Sequence, residues 1–259
     1  MILVFWLFSL FYPISISGQS SGTLTSSGQV NKLIFDSVAQ SPAFVSRTQF
    51  VEAWTASLPY LPVPNNVTFL SPMEYPLFMN SAVMVGNINN ATQLAMYFAQ
   101  VLYETNGLSI STVVPCSRFG NSQACTQYNS INVNNTDASQ GPNGTLFKYH
   151  GRGRLFIQNV DAYKDASQAL YGSDILHRNP HYLNTRPNVA WSTSAWNWYK
   201  TVGSVIGNSD AFGLSTKFLR PGDCSSGSDR KNADAAFNIY QQVLAVFDPD
   251  RVANGSGCI

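Results

Sequence analysis

The stretch AMYFAQVLYETNGL, residues 95–108, decides the fold class of this chain. It belongs to a predicted helix over 91–105, in which strong helix formers are mixed with large apolar side chains at helical spacing. Asn90 is available as the N-terminal cap, and Gly107 follows as the stop. We therefore expect a helix with a broad buried face in a mostly helical domain.

This helix ends on a carboxylate, Glu104, in a chain whose only other glutamates are Glu52 and Glu74. Tyr97, Val101 and Glu104 follow one another at i, i+4 and i+7, so the carboxylate is expected at the edge of the buried face. Glu104 is then either a solvated residue of the last turn or a half-buried acid. Partial burial disfavours the charged form of a carboxyl, which suits a proton donor.

The remaining sequence adds helices and few strand signals, which indicates one domain over residues 46–259. Helices are predicted over 45–58 with Ser46 as the cap, 161–172 with Asp161 as the cap, 188–203, and 236–247. Five prolines predict a loop over 59–80, and a run rich in Asn, Ser and Gly predicts a long loop over 106–146.

The N-terminus reads MILVFWLFSLFYPISIS, an apolar run followed by small residues. This pattern predicts a signal peptide over residues 1–17, although no Lys or Arg precedes the apolar run. A membrane anchor is the alternative, but Pro13 interrupts the run, which is shorter than the roughly 20 residues that span a bilayer. Residues 18–45 are predicted to form a flexible, Ser/Gly-rich leader. We thus expect a secreted, extracellular protein with no membrane segment after cleavage.

Four cysteines, an even number, predict two disulfides in an oxidising compartment. Proximity in the sequence pairs Cys116 with Cys125 and Cys224 with Cys258. A zinc site is the alternative, but no CxxC spacing supports it. Export also agrees with the five Asn-x-Ser/Thr glycosylation sequons, at Asn66, Asn90, Asn134, Asn143 and Asn254.

Charged residues make up 11% of the chain, and its formal net charge is +1. This balance argues against a nucleic-acid partner, since neither a basic surface nor a strong acidic field is present. The mostly neutral polar side chains suit neutral ligands such as sugars. His177 and His181 are four residues apart, but Pro180 interrupts a helix there and no acid joins them. We predict no metal, no cofactor and a monomer.

Three features follow one another in order: Glu-Thr-Asn-Gly at 104–107, a long loop with a cysteine pair, and Tyr-His-Gly-Arg-Gly at 149–153. Together they resemble the family 19 glycoside hydrolases, the plant-type chitinases of the lysozyme-like superfamily. Residues 174–199 resemble the family's aromatic helix, and residues 222–258 resemble its terminal helix with a closing cysteine. The resemblance extends over about residues 90–258 and implies a two-lobed, lysozyme-like helical domain with long loops.

Carried over position by position, the resemblance implies that Glu104 is the general acid that protonates the leaving oxygen. It places substrate-binding positions at Tyr149, Arg152, Gln158, Asp223 and Arg230. Arg152 belongs to the Gly-Arg-Gly turn, Asp223 to a charge network around the site, and Arg230 to the start of the last helix. The resemblance also agrees with both cysteine pairs.

Several positions depart from the family pattern. The family activates water with a second glutamate further along the chain, but that region here reads GNSQACTQYN, and no glutamate follows Glu104. Asp137 is the only acid between Glu104 and the Gly-Arg-Gly turn, and it is either the base or an ordinary turn residue. Asp161 is a second candidate, although a role as a helix cap accounts for it. Phe156 and Gln158 stand where the family has a sugar-binding Gln and a water-holding Ser or Thr.

The sequence is compatible with three functions. The first is the hydrolysis of β-1,4-linked N-acetylglucosamine polymers, chitin or a related cell-wall polysaccharide, by an endo-acting, inverting enzyme. The second is a protein that binds such a glycan in a retained groove without turnover. The third is an extracellular structural protein with a decayed cleft. A polysaccharide is the expected partner in the first two.

Overall fold

The computed structural model describes residues 44–64, 69–111, 149–225 and 230–258, which all fall in one unit spanning Val38–Ile259. Within these ranges the chain is almost entirely helix, turn and bend. Strand pairing in them is limited to two isolated bridges, between Arg152 and Ile157 and between Ala211 and Asn254. The expected mostly helical fold class is confirmed.

The longer helices of the described ranges are numbered here in chain order. They are α1 Arg47–Ser57, α2 Glu74–Met84, α3 Ala91–Thr105, α4 Val160–Tyr171, α5 Pro187–Trp198, α6 Phe212–Leu219 and α7 Arg230–Phe247. Short helical turns lie between them: Leu58–Tyr60, Ile175–Arg178, Tyr182–Thr185, the π-helical turn Tyr199–Gly203, Ser204–Ile206 and the 3-10 turn Pro221–Cys224. None of the described helices is long and apolar enough to cross a bilayer.

Helix α3 lies at the centre of the larger apolar cluster, and every residue from Leu94 to Leu102 is buried. A helix that is buried on all sides needs neighbours on all sides. Its main neighbour is α7, which also packs against α1, while α2 packs against α5. Phe98 of α3 stacks on Phe50 of α1 and on Phe247 of α7, with ring centroids 4.7 Å and 5.8 Å apart. The helix predicted over 91–105 is therefore the core element of the fold.

A second, smaller apolar cluster forms around α4 and the short turns before α5. Its buried members are Tyr149, Ile157, Tyr163, Ala166, Leu176, Leu183 and Val189. Helix α5 belongs to both clusters, since Val189 lies in the second and Trp191 lies in the first. Two apolar clusters joined by one helix match the two-lobed architecture that the resemblance implies.

The predicted helix caps are confirmed at α1 and α3. Ser46 accepts a hydrogen bond from the Gln49 backbone N–H at 3.2 Å, and the Gln49 side chain accepts one from the Ser46 backbone in return. Asn90 accepts from the backbone N–H of Gln93 at 2.8 Å. After Thr105, Asn106 adopts the left-handed conformation with φ of 48°, and α3 ends.

Two local predictions are wrong. The range 59–80, predicted as a loop, contains the start of α2, because Pro76 falls in the first helical turn, where a missing N–H costs little. Asn159, not Asp161, caps α4 by accepting from Ala162 N–H at 2.9 Å, and Asp161 lies in the first turn. The helix predicted over 188–203 is present as α5, which continues from Trp198 into the π-helical turn Tyr199–Gly203, and the periodic residues 236–247 lie in α7, which begins at Arg230. Of the loop predicted over 106–146, residues 112–146 lie outside the described ranges.

A buried ion pair between Arg154 and Glu74 fastens the Gly-Arg-Gly turn to the larger cluster. Trp191 Nε1 donates to the other Glu74 oxygen at 2.6 Å, so both carboxylate oxygens are engaged. The backbone N–H groups of Arg154 and Leu155 both donate to Ser194 Oγ at 2.7 Å, which ties the turn to α5. Burial lowers the pKa of the Arg154 guanidinium, and the Glu74 carboxylate opposes that effect.

The terminal disulfide, Cys224–Cys258, is confirmed and joins residues 34 apart in sequence. It links the 3-10 turn before α7 to the segment after that helix. The same segment packs on α6, where Phe212 N–H donates to Asn254 O at 2.8 Å. Gly213 has no room for a side chain, because an added Cβ would lie 2.5 Å from Gly255 O. Cys116 and Cys125 lie outside the described residues.

We predict that Arg154→Met lowers the free energy of unfolding by about 3–5 kcal/mol, because the Glu74 carboxylate stays buried without its cation. The double variant Glu74→Gln/Arg154→Met should lose less than the single variant, since it removes the uncompensated charge and keeps an acceptor for Trp191. Chemical denaturation measures both values. A double variant less stable than Arg154→Met would contradict the prediction.

The matched control is Arg178→Met, which removes an arginine from an exposed ion pair with Asp174. Solvent screens this pair, so the free energy of unfolding should change by less than about 1 kcal/mol. An equal loss at the two arginines would show that side-chain truncation, and not charge burial, is the cause.

We also predict that Cys224→Ser/Cys258→Ser lowers the free energy of unfolding by about 3–4 kcal/mol, the loop-entropy value for this sequence separation. Paired serines are preferable to a reducing agent, because a reductant would also act on Cys116 and Cys125. Denaturation midpoints of the variant and the wild type, both without reductant, measure the difference. A midpoint unchanged by the substitutions would contradict a stabilising role for this disulfide.

Candidate functional site

Arg220 is the centre of a polar network at the C-terminal end of α3. Its Nη1 donates to Glu104 Oε1 at 2.8 Å, its Nε to Asp223 Oδ2 at 2.7 Å and its Nη2 to Gln100 Oε1 at 2.7 Å. The guanidinium carbon lies 4.5 Å from the centroid of the Tyr103 ring. Each nitrogen of the guanidinium therefore has an acceptor, and an aromatic ring lies near it.

Local helix geometry brings the α3 members of this network together. Gln100, Tyr103 and Glu104 stand at i, i+3 and i+4, and residues at that spacing share one face of a helix. Arg220 follows α6 directly, and its backbone N–H donates to Thr216 O at 2.7 Å. The network thus joins the end of α3 to the end of α6.

Asp223 extends the network to the 3-10 turn and to α7. Its backbone N–H donates to Arg220 O at 3.0 Å, and its Oδ1 accepts from Asn232 Nδ2 at 3.2 Å. The next residue, Cys224, is held by the disulfide to Cys258. The resemblance expected Asp223 in a charge network, and the structure places it on the arginine that contacts Glu104.

The three charged side chains are mostly buried but not sealed. Exposed fractions are 17% for Glu104, 16% for Arg220 and 14% for Asp223. Burial by itself lowers the pKa of the Arg220 guanidinium, but the Glu104 and Asp223 carboxylates outweigh that effect and raise it. Arg220 is therefore a permanent cation at this place. Glu104 is partly buried, as the helix pattern predicted, and it has a cationic neighbour that the sequence analysis did not assign to it.

Arg230 is the first residue of α7, where the resemblance placed it. It pairs with Asp234, one turn further along α7, at 3.7 Å, and both side chains are exposed. The two residues help to line a cavity of about 280 Å³ together with Phe212, Gly213, Thr216, Ala233, Phe237, Gly255 and Cys258. Among the arginines of the described residues, Arg220, and not Arg230, contacts Glu104.

The Gly-Arg-Gly turn is built into the smaller cluster. Arg152 is buried, and its Nη1 donates to Tyr163 Oη at 3.0 Å. Burial raises the pKa of Tyr163 to about 12, against the effect of the Arg152 charge, so its hydroxyl stays protonated. Tyr149 is also buried, and its Oη donates to His177 O at 3.0 Å. Gly153 has φ of 102°, a conformation that favours glycine.

The structure describes three of the four residues that the sequence singled out as a possible base or as a departure from the family pattern. Asp137 lies outside the described residues. Asp161 is exposed in the first turn of α4. Gln158 is exposed at the end of the turn, while Phe156 is partly buried. Among the described residues, no group of three or more His, Cys, Asp or Glu side chains could hold a metal ion.

Two of the five sequons, at Asn90 and Asn254, lie in the described residues. Asn90 uses its side-chain oxygen to cap α3. Asn254 uses its Nδ2, the atom that a glycan would take, to donate to Asp210 Oδ1 at 2.9 Å. Asn66, Asn134 and Asn143 lie outside the described ranges, as do residues 1–43 with the predicted signal peptide and most of the leader.

Sequence reasoning missed Arg220 and Gln100. The signal for Gln100 was present, because it lies one helical turn before Glu104. The signal for Arg220 was weaker: it lies three residues before Asp223 in the sequence RPGDC, but nothing local shows that α6 ends beside α3.

Comparisons with known proteins agree with this architecture. A family model described as chitinase class I, of glycoside hydrolase family 19, matches residues 75–205. That range contains Glu104 and the Gly-Arg-Gly turn and ends before Arg220. An endochitinase of Arabidopsis thaliana is 28% identical over 176 residues, which make up 68% of this chain. The match spans 60% of that relative's length.

Two solved structures show the same fold. A bacterial family 19 chitinase superposes with a TM-score of 0.57 at 20% identity, over 82% of this chain and 98% of its own. Chitinase C from Streptomyces griseus gives a TM-score of 0.56 at 22% identity, over 81% of this chain and 78% of its own. The predicted lysozyme-like helical fold is thereby confirmed.

We predict that Arg220→Met lowers the free energy of unfolding by about 3 kcal/mol, because two mostly buried carboxylates lose their common cation. The control Arg230→Met removes an arginine of the same type from an exposed pair and should cost less than about 1 kcal/mol. Chemical denaturation of both variants at neutral pH measures the contrast. A larger loss at Arg230 than at Arg220 would contradict the assignment of the network.

Proposed function

Because this chain belongs to the chitinase class I family, glycoside hydrolase family 19, we propose that it hydrolyses β-1,4-linked N-acetylglucosamine polymers, chitin or a related cell-wall polysaccharide. The observation that carries the proposal is the position of Glu104. Its carboxylate stands at the end of the central helix, partly exposed, 2.8 Å from the Arg220 cation. The names of the relatives, an endochitinase and two chitinases, support the same substrate class.

In the proposed reaction, Glu104 in its acid form protonates the glycosidic oxygen while the bond to the anomeric carbon breaks. A water molecule attacks that carbon from the opposite face and gives its proton to a base, so the configuration inverts. Asp137 remains the candidate base, as the only acid between Glu104 and the Gly-Arg-Gly turn. The products are two shorter saccharide chains, as an endo-acting enzyme makes.

Arg220 has a defined effect on this step. Before the reaction the guanidinium already lies 2.8 Å from the Glu104 carboxyl. As the proton leaves, negative charge develops on Glu104 beside a cation that is already in place. Stabilisation of a charge that forms only in the transition state lowers the barrier, whereas equal stabilisation of both states would not.

A second function, glycan binding without turnover, is favoured by one specific observation. No glutamate follows Glu104, so the family's usual base is missing, and loss of a general base costs about 10²–10⁴ in rate. In that case the groove would bind the same polysaccharide, and Glu104, paired with Arg220, would serve as a hydrogen-bond acceptor for it.

The proposal includes secretion of a monomer after removal of residues 1–17. The Cys224–Cys258 disulfide supports an oxidising compartment, since structural disulfides are rare in the cytosol. The composition, with a net charge of +1, suits a neutral polysaccharide partner.

We predict that the wild type hydrolyses a soluble N-acetylglucosamine hexamer and that Glu104→Gln lowers kcat by about 10²–10⁴ with little change in hexamer affinity. Glutamine keeps an oxygen for Arg220 but has no proton to give. Product chromatography measures turnover, and calorimetric titration measures affinity.

The matched control is Glu52→Gln, the same substitution on the exposed face of α1, which should leave kcat unchanged. Hexamer binding without turnover, in the wild type and in Glu104→Gln alike, would overturn hydrolysis and select the binding function. Absence of both binding and turnover would overturn the two together.

A further inference from the structure

Gln100 is the one uncharged member of the Arg220 network that is completely buried. Its Oε1 accepts from Arg220 Nη2 at 2.7 Å. Its Nε2 donates to Ser215 Oγ at 2.8 Å and to Thr216 Oγ1 at 2.9 Å. The amide therefore uses both hydrogens and its oxygen, and it links α3 to α6 as well as to the arginine.

The orientation of this amide follows from its partners. Arg220 has only donors, so the oxygen of Gln100 must face it. Ser215 already donates its hydroxyl hydrogen to Phe212 O at 2.7 Å, so its oxygen must accept from Gln100. A reversed amide would place donor against donor at Arg220 and acceptor against acceptor at Ser215. The hydrogen bonds thus run in one direction, from Arg220 through Gln100 and Ser215 to Phe212, and such chains polarise one another.

This series of hydrogen bonds ties Arg220 to α3 and α6, which the ion pair with Asp223 does not do. Asp223 ties the guanidinium to the 3-10 turn before α7, which Asn232 and the Cys224–Cys258 disulfide anchor. The guanidinium meets α3 at Glu104, at Gln100 and at the Tyr103 ring, and among the described contacts Gln100 is the one of the three that is also bonded to α6 side chains. Without Gln100, Arg220 keeps its Nε bond to Asp223, but its Nη2 loses the partner that links it to both α3 and α6, and the far end of the guanidinium can turn away from Glu104.

We propose that Gln100 is a positioning residue that holds the Arg220 guanidinium against the Glu104 carboxylate. The proposal rests on the function proposed above, because position matters most when Glu104 loses its proton. A displacement of about 1 Å of a group near the reacting atoms can cost up to about 10²-fold in rate. Gln100 itself, buried beneath the arginine, acts only through it.

The test compares Gln100→Leu with the wild type on the N-acetylglucosamine hexamer. Leucine is close to glutamine in volume and makes none of its hydrogen bonds. We expect kcat to fall about 10- to 100-fold while KM stays within about twofold. An unchanged kcat would overturn the proposal, and so would a loss that appears only in KM.

A double-mutant cycle with Arg220→Lys separates positioning from a general loss of structure. If Gln100 acts through Arg220, Gln100→Leu has no further effect on kcat in the Arg220→Lys background. If the loss of kcat in the double variant equals the product of the two single-variant losses, the proposal is overturned. The structural control is Ser167→Ala, which removes another buried hydroxyl, one that accepts from Leu176 N–H at 2.9 Å in α4. It should lower the melting temperature and leave kcat unchanged, and a fall in its kcat as large as that of Gln100→Leu would overturn the assignment.

An NMR measurement makes the result independent of turnover. The Arg220 Nε–H signal, identified by its absence in Arg220→Lys, should exchange slowly with water in the wild type. In Gln100→Leu its exchange should accelerate at least about tenfold as the guanidinium loses its anchor to α3. Exchange that does not change would overturn the positioning role whether or not the enzyme is active. A wild type that does not hydrolyse the hexamer, together with accelerated exchange in the variant, would remove the proposed function and support the positioning role.

Discussion

The ion pair between Arg220 and Glu104 is the constraint on which the candidate site depends. It connects residues 116 apart in sequence and sets the end of the buried helix α3 against the turn that follows α6. Asp223 and the Cys224–Cys258 disulfide hold that turn from the other side. A carboxylate at the end of the most buried helix is tolerated because a cation meets it there. In the reaction that we propose, the same cation is in place when Glu104 gives up its proton.

A second arginine–glutamate pair, Arg154 with Glu74, serves the architecture and not the chemistry. It is more deeply buried than the first pair, and both of its carboxylate oxygens are engaged, one by Arg154 and the other by Trp191. It holds the turn that begins with Gly-Arg-Gly against the larger apolar cluster. Two of the three glutamates of the chain are thus bound to arginines, whereas Glu52 is exposed. Solvent reaches the Arg220–Glu104 pair more than it reaches the Arg154–Glu74 pair.

Sequence patterns predicted a helix correctly where its bounds and caps depend only on residues close together in the chain. The bounds of α3, its Asn90 cap and its stop after Thr105 follow from periodicity and from capping chemistry over a few residues. Such patterns failed for α2, where prolines suggested a loop although Pro76 lies in a helical turn that tolerates it. They also failed at α4, where Asn159 caps the helix two residues before Asp161. These errors arise because a residue type indicates a structure only in combination with its position.

The sequence by itself determined the mostly helical class, the place of Glu104 at the edge of the buried face of its helix, the Cys224–Cys258 pairing and the resemblance to family 19. These depend on spacing along the chain, which the sequence contains directly. Only the tertiary structure decided which arginine meets Glu104, that Gln100 is tied to Ser215 and Thr216, and that Arg152 is buried on Tyr163. The contacts of Glu104 and Gln100 arise from the packing of α3 against α6 and the turn before α7, and that of Arg152 arises from the packing of the Gly-Arg-Gly turn against α4. Side chains a hundred residues apart meet only when apolar burial sets the helices at one angle and height, and spacing along the chain does not specify that placement.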